Sequence, residues 1–187
     1  MSAKLVLIGG KLALICAVAA LVLALVGAVT TPVIEQNRIE ALNAALSRVS
    51  GEGTVGERVD VEDGAVSAYY PVYASESSET ATSYIVLVTG SGYGGEMNLI
   101  TSVAPDGEVL AAELMQNQET PGLGKEAESA EYMEMFVGTG ASQPIPSSKN
   151  DLAPENADAV TGATITFLGV SDALETASSF VEDQHGG

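Results

Sequence analysis

From Leu12 to Val29 the chain runs eighteen residues without a charge, LALICAVAALVLALVGAV, closed by Thr30, Thr31 and Pro32. At about 1.5 Å per residue this falls near the lower end of a bilayer span, and residues 5–10 extend it. Lys4 and Lys11 precede the run, whereas Glu35, Arg38 and Glu40 follow it, so the positive-inside bias places the N-terminus in the cytoplasm. A cleaved signal peptide is the alternative. The run is longer than a typical signal core, and VGAVTTPVIEQNR leads straight into a helical pattern. A lipoprotein reading of ALIC is weaker, because apolar and small residues continue well past Cys16. The expectation is an uncleaved anchor over residues 1–31 and an extracytoplasmic domain over 32–187.

Beyond the anchor the pattern changes several times. Val33, Ile34, Ala41, Leu42, Ala45 and Leu46 recur with helical spacing, and Pro32 suits the first turn of such a helix. SGEGTVGERVDVEDG breaks that pattern. AVSAYYPVYA reads as a strand, and SESSETATS, residues 75–83, as a polar loop. YIVLVTG (84–90) and MNLITSV (97–103) flank the glycine-rich SGYGGE, and EVLAAELM (108–115) follows a turn centred on Asp106-Gly107. These runs predict an antiparallel meander. ESAEYMEMFVG puts Ala130, Met133, Phe136 and Val137 on one helical face. A Pro/Ser-rich connector, QPIPSSKNDLAPENADA, comes next. In the last helix Val170, Ala173, Leu174, Ala177 and Val181 repeat at helical spacing. Strands grouped together with helices at both ends predict an α+β fold: an antiparallel sheet with flanking helices, preceded by one transmembrane helix. No internal repeat is visible.

Composition narrows the chemistry. The 187 residues have room for one domain and an appendage. With 25 acidic against 7 basic residues, the clustered Lys and Arg needed for phosphate-backbone binding are missing, which excludes nucleic acid as a partner. Cys16 is the single cysteine and lies in the apolar run, so neither an internal disulfide nor a Cys-rich metal centre can form. The single histidine, His185, sits in the tail DQHGG and reads as solvated. A nucleophile–histidine or zinc–histidine site inside the fold is excluded with it. Redox or transfer chemistry must come from a cofactor or a partner.

Two motifs have that potential. QNQETPGLGKE (Gln116–Glu126) joins the meander to a helix. Gly122 and Gly124 around Leu123 allow a tight turn and close approach to a flat ligand, while Glu119 and Thr120 supply an acceptor and a hydroxyl. An ordinary turn explains the loop equally well. The second motif is DAVTGATITF (Asp158–Phe167). Thr166 is placed to cap the last helix, with Thr164 just ahead of its N-terminus, where N–H groups and the helix dipole favour a phosphate. Gly162 and Ala163 leave the Thr164 hydroxyl unhindered. Capping and strand propensity alone would also account for these threonines.

Taken together, ETPGLG followed by D-A-V-T-G-A-T resembles the covalent FMN-binding domain family, which includes the G subunit of Rnf ion-translocating electron-transport complexes and the C subunit of the sodium-pumping NADH:quinone reductase. The anchor, AYYPVY and GYGGEMNLITSVAPDGEVLAAELMQNQETPGLG are similar to the Rnf member, so the resemblance covers most of the chain. It implies FMN bound covalently through its phosphate to Thr164, by a separate flavin transferase. Asp158, Thr161, Gly162 and Ala163 match the rest of that motif, and Glu119, Thr120, Gly122 and Leu123 match the loop against the flavin. Thr166 is expected beside the cofactor. Many relatives have a histidine two positions before the glutamate; here it is Asn117. Lys125 is the only cation that sequence distance puts near either motif.

The implied function is electron transfer by a single-pass subunit of a membrane oxidoreductase complex coupling ferredoxin:NAD⁺ electron transfer to Na⁺ or H⁺ translocation. Its implied partners are the other membrane subunits, the transferase and membrane lipid. The C subunit of the quinone reductase and a stand-alone extracellular flavin carrier are the nearest rivals. A non-redox anchored binding module ranks lower, since no D-x-D-x-D-G calcium loop occurs.

Overall fold

Helix α1 (Ala3–Val49) takes in both the apolar run and the helical pattern after it in the computed structural model, which describes residues 3–186. Compact units divide between Leu42 and Asn43. The described residues of the first, from Ala3 on, are all helix. Its large aliphatic side chains from Leu7 to Ile39 are exposed, and the helix is long and apolar enough to cross a membrane. Pro32 lies inside this helix, not in the first turn of a second one. Proline lacks the N–H for one i→i−4 bond, but the helix continues through it.

In the second unit six strands make an antiparallel sheet: β1 (Thr54–Val55), β2 (Val59–Asp63), β3 (Val66–Tyr73), β4 (Ala81–Ser91), β5 (Glu96–Val103) and β6 (Val109–Gln116). The order is β1-β3-β4-β5-β6, and β2 also pairs with β3. The expected meander is therefore present. Its turn between β5 and β6 has Gly107 at φ +89°, a conformation that glycine adopts without steric cost. The stretch expected only to break the helical pattern supplies β1 and β2, and the polar loop gives up Ala81–Ser83 to β4. Both departures have one cause. Short polar segments acquire strand geometry when a neighbouring edge offers hydrogen bonds, and propensity alone does not register that.

Alternation in β4 sends Val86 and Val88 to one face and Ile85 to the other, and all three are buried. A bulge between Val66 and Ala68 keeps both Val66 and Tyr69 on the first face. Helix α4 (Thr164–His185) covers that face with Phe167, Val170, Ala173, Leu174, Ala177 and Val181, all essentially inaccessible. On the second face the last turns of α1 bury Ala45, Leu46 and Val49, and Arg48 grips Glu113 of β6 through two bonds of 2.8 and 2.6 Å. Between β6 and α4 run α2 (Ala130–Met133), a 3-10 turn (Glu134–Phe136) and α3 (Pro154–Ala159). The helix expected around ESAEYMEMFVG thus lasts one turn and tightens. Met133 and Phe136 are buried as expected, but so is Tyr132, while Ala130 and Val137 are exposed. The Pro/Ser-rich connector contains α3 and a 3-10 turn (Lys149–Asp151), and both were missed.

His185 is not solvated. Its ring stacks on Tyr84 at 3.9 Å and meets Tyr69 edge-on at 5.3 Å. Desolvation lowers its pKa below the ordinary 6.5.

Two outcomes are expected of the full chain in detergent. A Cβ on Gly169 would fall on the Ser91 carbonyl oxygen, so Gly169→Ala should lower unfolding stability by on the order of 1–3 kcal/mol. An unchanged urea midpoint would contradict the close packing of α4 on β4. For His185, the native state favours the neutral ring, so the unfolded chain binds more protons as pH falls below 6.5. Stability should decline from that pH down to the lowered native value, and His185→Phe should flatten this segment of the stability–pH curve.

Candidate functional site

Glu119 is the centre of the site. It lies in the loop after β6 and is 4% exposed. One carboxylate oxygen accepts from the Gly94 N–H at 2.9 Å, the other from the Thr166 hydroxyl at 2.7 Å. A single side chain therefore joins the β4–β5 hairpin, the ETPGLG loop and the first turn of α4. Glycine permits this crowding: a Cβ on Gly92 or Gly124 would collide with the Glu119 carboxylate. Hydrogen bonds to the charged form compensate for much of the cost of burying it. Burial, reinforced by the Glu119 charge, raises the pKa of the nearby Tyr132 phenol.

The loop itself is held from behind. Asn117 accepts from the Glu119 N–H at 2.9 Å and donates to Glu128 at 2.8 Å, and Lys125 pairs with the same Glu128 oxygen. Lys125 first and Asn117 second lower the Glu128 pKa. Gly122, at φ +77°, makes the bend the sequence suggested.

Across from this loop, α3 ends at Ala159 and a turn closed by the Ala163 N–H on the Val160 carbonyl delivers the chain to α4. Gly162 takes φ +86°, and a Cβ there would sit 3.2 Å from Leu123, so the two motifs touch. Thr164 is the first residue of α4 and exposed, not a residue ahead of it. Thr166 does not cap the helix. It lies inside the first turn and gives its hydroxyl to Glu119. The capping position belongs to Ala163, which has no side-chain acceptor, so the first N–H groups of α4 are left without a side-chain partner.

A cavity of about 500 Å³ opens between these parts. Glu119, Thr120, Leu123, Gly124, Gly162, Ala163, Thr164 and Thr166, all within the two motifs, line it together with Tyr93 and Ile165. Gly122, Asp158 and Thr161 lie outside its lining. Tyr93, 75% exposed, is an aromatic ring on an otherwise glycine-rich loop, and that anomaly was the signal for it in SGYGGE.

Residues 92–179 match the FMN-binding domain family. The G subunit of the ion-translocating oxidoreductase complex of Cereibacter sphaeroides is 33% identical over 169 residues, 84% of this chain and 75% of that protein. The chain belongs to this G-subunit family. The G subunit of the proton-translocating ferredoxin:NAD(+) oxidoreductase complex of Clostridium ljungdahlii is 29% identical over 174 residues, covering 91% of this chain and 90% of that one. The crystal structure of Shewanella oneidensis NqrC superposes with a TM-score of 0.52 at 19% identity, over 69% of each chain, and so shares the fold.

The cavity of this G-subunit relative suits a flavin. Its volume is in the usual range for small-molecule sites. Leu123, Ile165 and Tyr93 offer apolar and aromatic surface for a planar ring, and the glycines allow close backbone approach. One basic residue was missed. Lys149, from the 3-10 turn before α3, donates to the Thr161 hydroxyl at 2.6 Å, so Lys125 is not the only cation near the motifs. Twelve residues separate Lys149 from Thr161, and only the folded connector brings them together.

Thr166→Val keeps the shape of the side chain but strips one buried carboxylate oxygen of its donor. This should destabilise the full chain by about 1–3 kcal/mol in urea unfolding. Wild-type stability would mean that water replaces the hydroxyl.

Proposed function

We propose that this protein is the electron-transferring G subunit of an Rnf-type membrane complex, with FMN carried in the cavity and bound covalently through its phosphate to Thr164. The observation that supports this most is the position of Thr164. Its exposed hydroxyl stands at the start of α4, on the wall of a cavity whose opposite side is the Glu119–Leu123 loop. The name of the Clostridium ljungdahlii relative suggests the overall reaction, ferredoxin:NAD⁺ electron transfer coupled to ion translocation. The two G subunits named above are 29% and 33% identical to this chain, whereas NqrC at 19% shares the fold alone, and this favours the Rnf reading over the quinone reductase.

FMN supplies the one- and two-electron chemistry. The chain holds and surrounds it. Leu123 and Ile165 exclude water from the ring, the buried Glu119 fixes the loops around it, and the open N–H groups of α4 face a phosphate at Thr164. An alkyl hydroxyl is a poor nucleophile without a base, and among the described residues Thr164 has no hydrogen-bonded base. Attachment therefore falls to a flavin transferase. The tether also answers an electrostatic problem. Free FMN phosphate carries nearly two negative charges, the protein carries a net −18, and a phosphodiester lowers the ligand's share. The long apolar part of α1 would anchor the protein in the membrane, with Lys4 and Lys11 on the cytoplasmic side and the FMN domain outside. Without an acidic, basic or histidine residue from Leu12 to Val29, that segment would dock against partner helices and not carry ions itself.

Intact-protein and peptide mass spectrometry on chain purified from its native membrane should show an added mass of FMN minus one water, mapped to Thr164. Thr164→Ala should abolish that mass and fail to bind added FMN at micromolar concentration. An unmodified chain from cells with an active transferase would contradict the assignment.

A further inference from the structure

Four basic side chains lie beyond residue 42: Arg48, Arg58, Lys125 and Lys149. Three of them meet carboxylates at 2.6–2.8 Å, Arg48 on Glu113, Arg58 on Asp60 and Lys125 on Glu128. Lys149 does not. Among the described residues its ammonium has no carboxylate within ion-pair distance, and it rests on the Thr161 hydroxyl at 2.6 Å. In so acidic a chain, a cation placed on a neutral group calls for a reason.

The placement is built from both sides. The Ser148 hydroxyl accepts from the Asn150 N–H and the Asp151 carboxylate from the Ser147 N–H, which shapes the 3-10 turn and turns the carboxylate nearest in sequence toward backbone. Thr161 donates its own proton to the Ala157 carbonyl at 3.0 Å, leaving its oxygen to accept from Lys149. Three residues separate Thr161 from Thr164, a Cα separation of at most about 11 Å, and the turn between them shortens it. Lys149 is thereby held beside the turn that leads from Thr161 to Thr164. Asp158, exposed nearby and without a side-chain hydrogen bond among the described residues, makes a compensating positive charge more useful still.

We infer that Lys149, held on Thr161, is the counter-charge for the phosphate borne by Thr164. This rests on the tether reading above. The ammonium offsets the single charge of the phosphodiester in the mature protein and the charge of the phosphate group as it reaches the hydroxyl. Thr161 then has a role although it lies outside the cavity: it aims the lysine.

The test uses full chain in detergent, as wild type, Lys149→Gln and Lys149→Arg, incubated with flavin transferase and a flavin dinucleotide donor. The donor's phosphoanhydride bond breaks to release a nucleoside monophosphate as the FMN phosphate joins the threonine oxygen and the hydroxyl proton leaves to solvent. Two readings are taken: the time course of FMN incorporation by intact mass, and the phosphorus NMR resonance of the loaded protein. The glutamine variant should load about twofold more slowly, as expected for the loss of one partly screened charge near the phosphate, and its phosphorus resonance should move. Arginine should restore both. An unchanged phosphorus resonance in the glutamine variant overturns the inference whatever the rate, and leaves Lys149 as a fastening of the connector to Thr161. Wild-type chain with flavin absent, or mapped away from Thr164, overturns the tether and this inference together.

Discussion

Helix α4 lies on the sheet at a distance that only glycine permits. A Cβ on Gly90 of β4 would sit 2.6 Å from the Gly169 carbonyl oxygen, and one on Gly169 would land on the Ser91 carbonyl. Backbone therefore meets backbone where the strand ends and the helix begins. The contact fixes the first turn of α4 beside the β4–β5 hairpin, and the apolar stripe from Phe167 to Val181 holds the rest of the helix in register. With that turn in place, Thr166 reaches Glu119, Glu119 reaches Gly94, and a cavity is left between the two motifs.

A buried carboxylate is an unusual choice for such a junction. It is costly to desolvate, and its remaining lone pairs must be satisfied. In return, two charge-assisted hydrogen bonds specify one arrangement of three segments, where an apolar contact would tolerate sliding. Removal of one donor strands a buried charge, so the junction is held by mutual dependence. Asn117 works at the same place from outside, tying the Glu119 backbone to the Lys125–Glu128 pair. It has a structural occupation of its own at the position where the resemblance led one to look for a histidine.

The charge distribution runs against phosphate binding, with 25 acids and 7 bases in the chain. What the fold offers a phosphate is local: open N–H groups at the start of a 22-residue helix, and one lysine without a carboxylate partner among the described residues. A covalent link asks little more of the site than that. With the covalent link proposed above, retention would rest on a bond, and the surrounding acids would be free to serve a solvated surface.

The sequence by itself determined the elements that depend on local pattern. The strands from Val66 to Gln116 follow from alternation and β-branched content, and the buried face of α4 from its spacing. The bends at Gly107 and Gly122 follow from glycine's access to positive φ, and ETPGLG with DAVTGAT marked both walls of the cavity. Tertiary structure decided what depends on partners remote in the chain. Thr166 looked like a cap because capping is a local role; its hydroxyl goes instead to a glutamate 47 residues away. His185 looked solvated because it is near the chain end, yet two tyrosines of the sheet receive its ring. Lys149 looked like part of a polar connector until α3 folded back and set it on Thr161. Thr166 and Lys149 act through hydrogen bonds and His185 through ring contact, all short-ranged, so each role depends on which groups the packed backbone brings close. Periodicity and composition do not carry that distance.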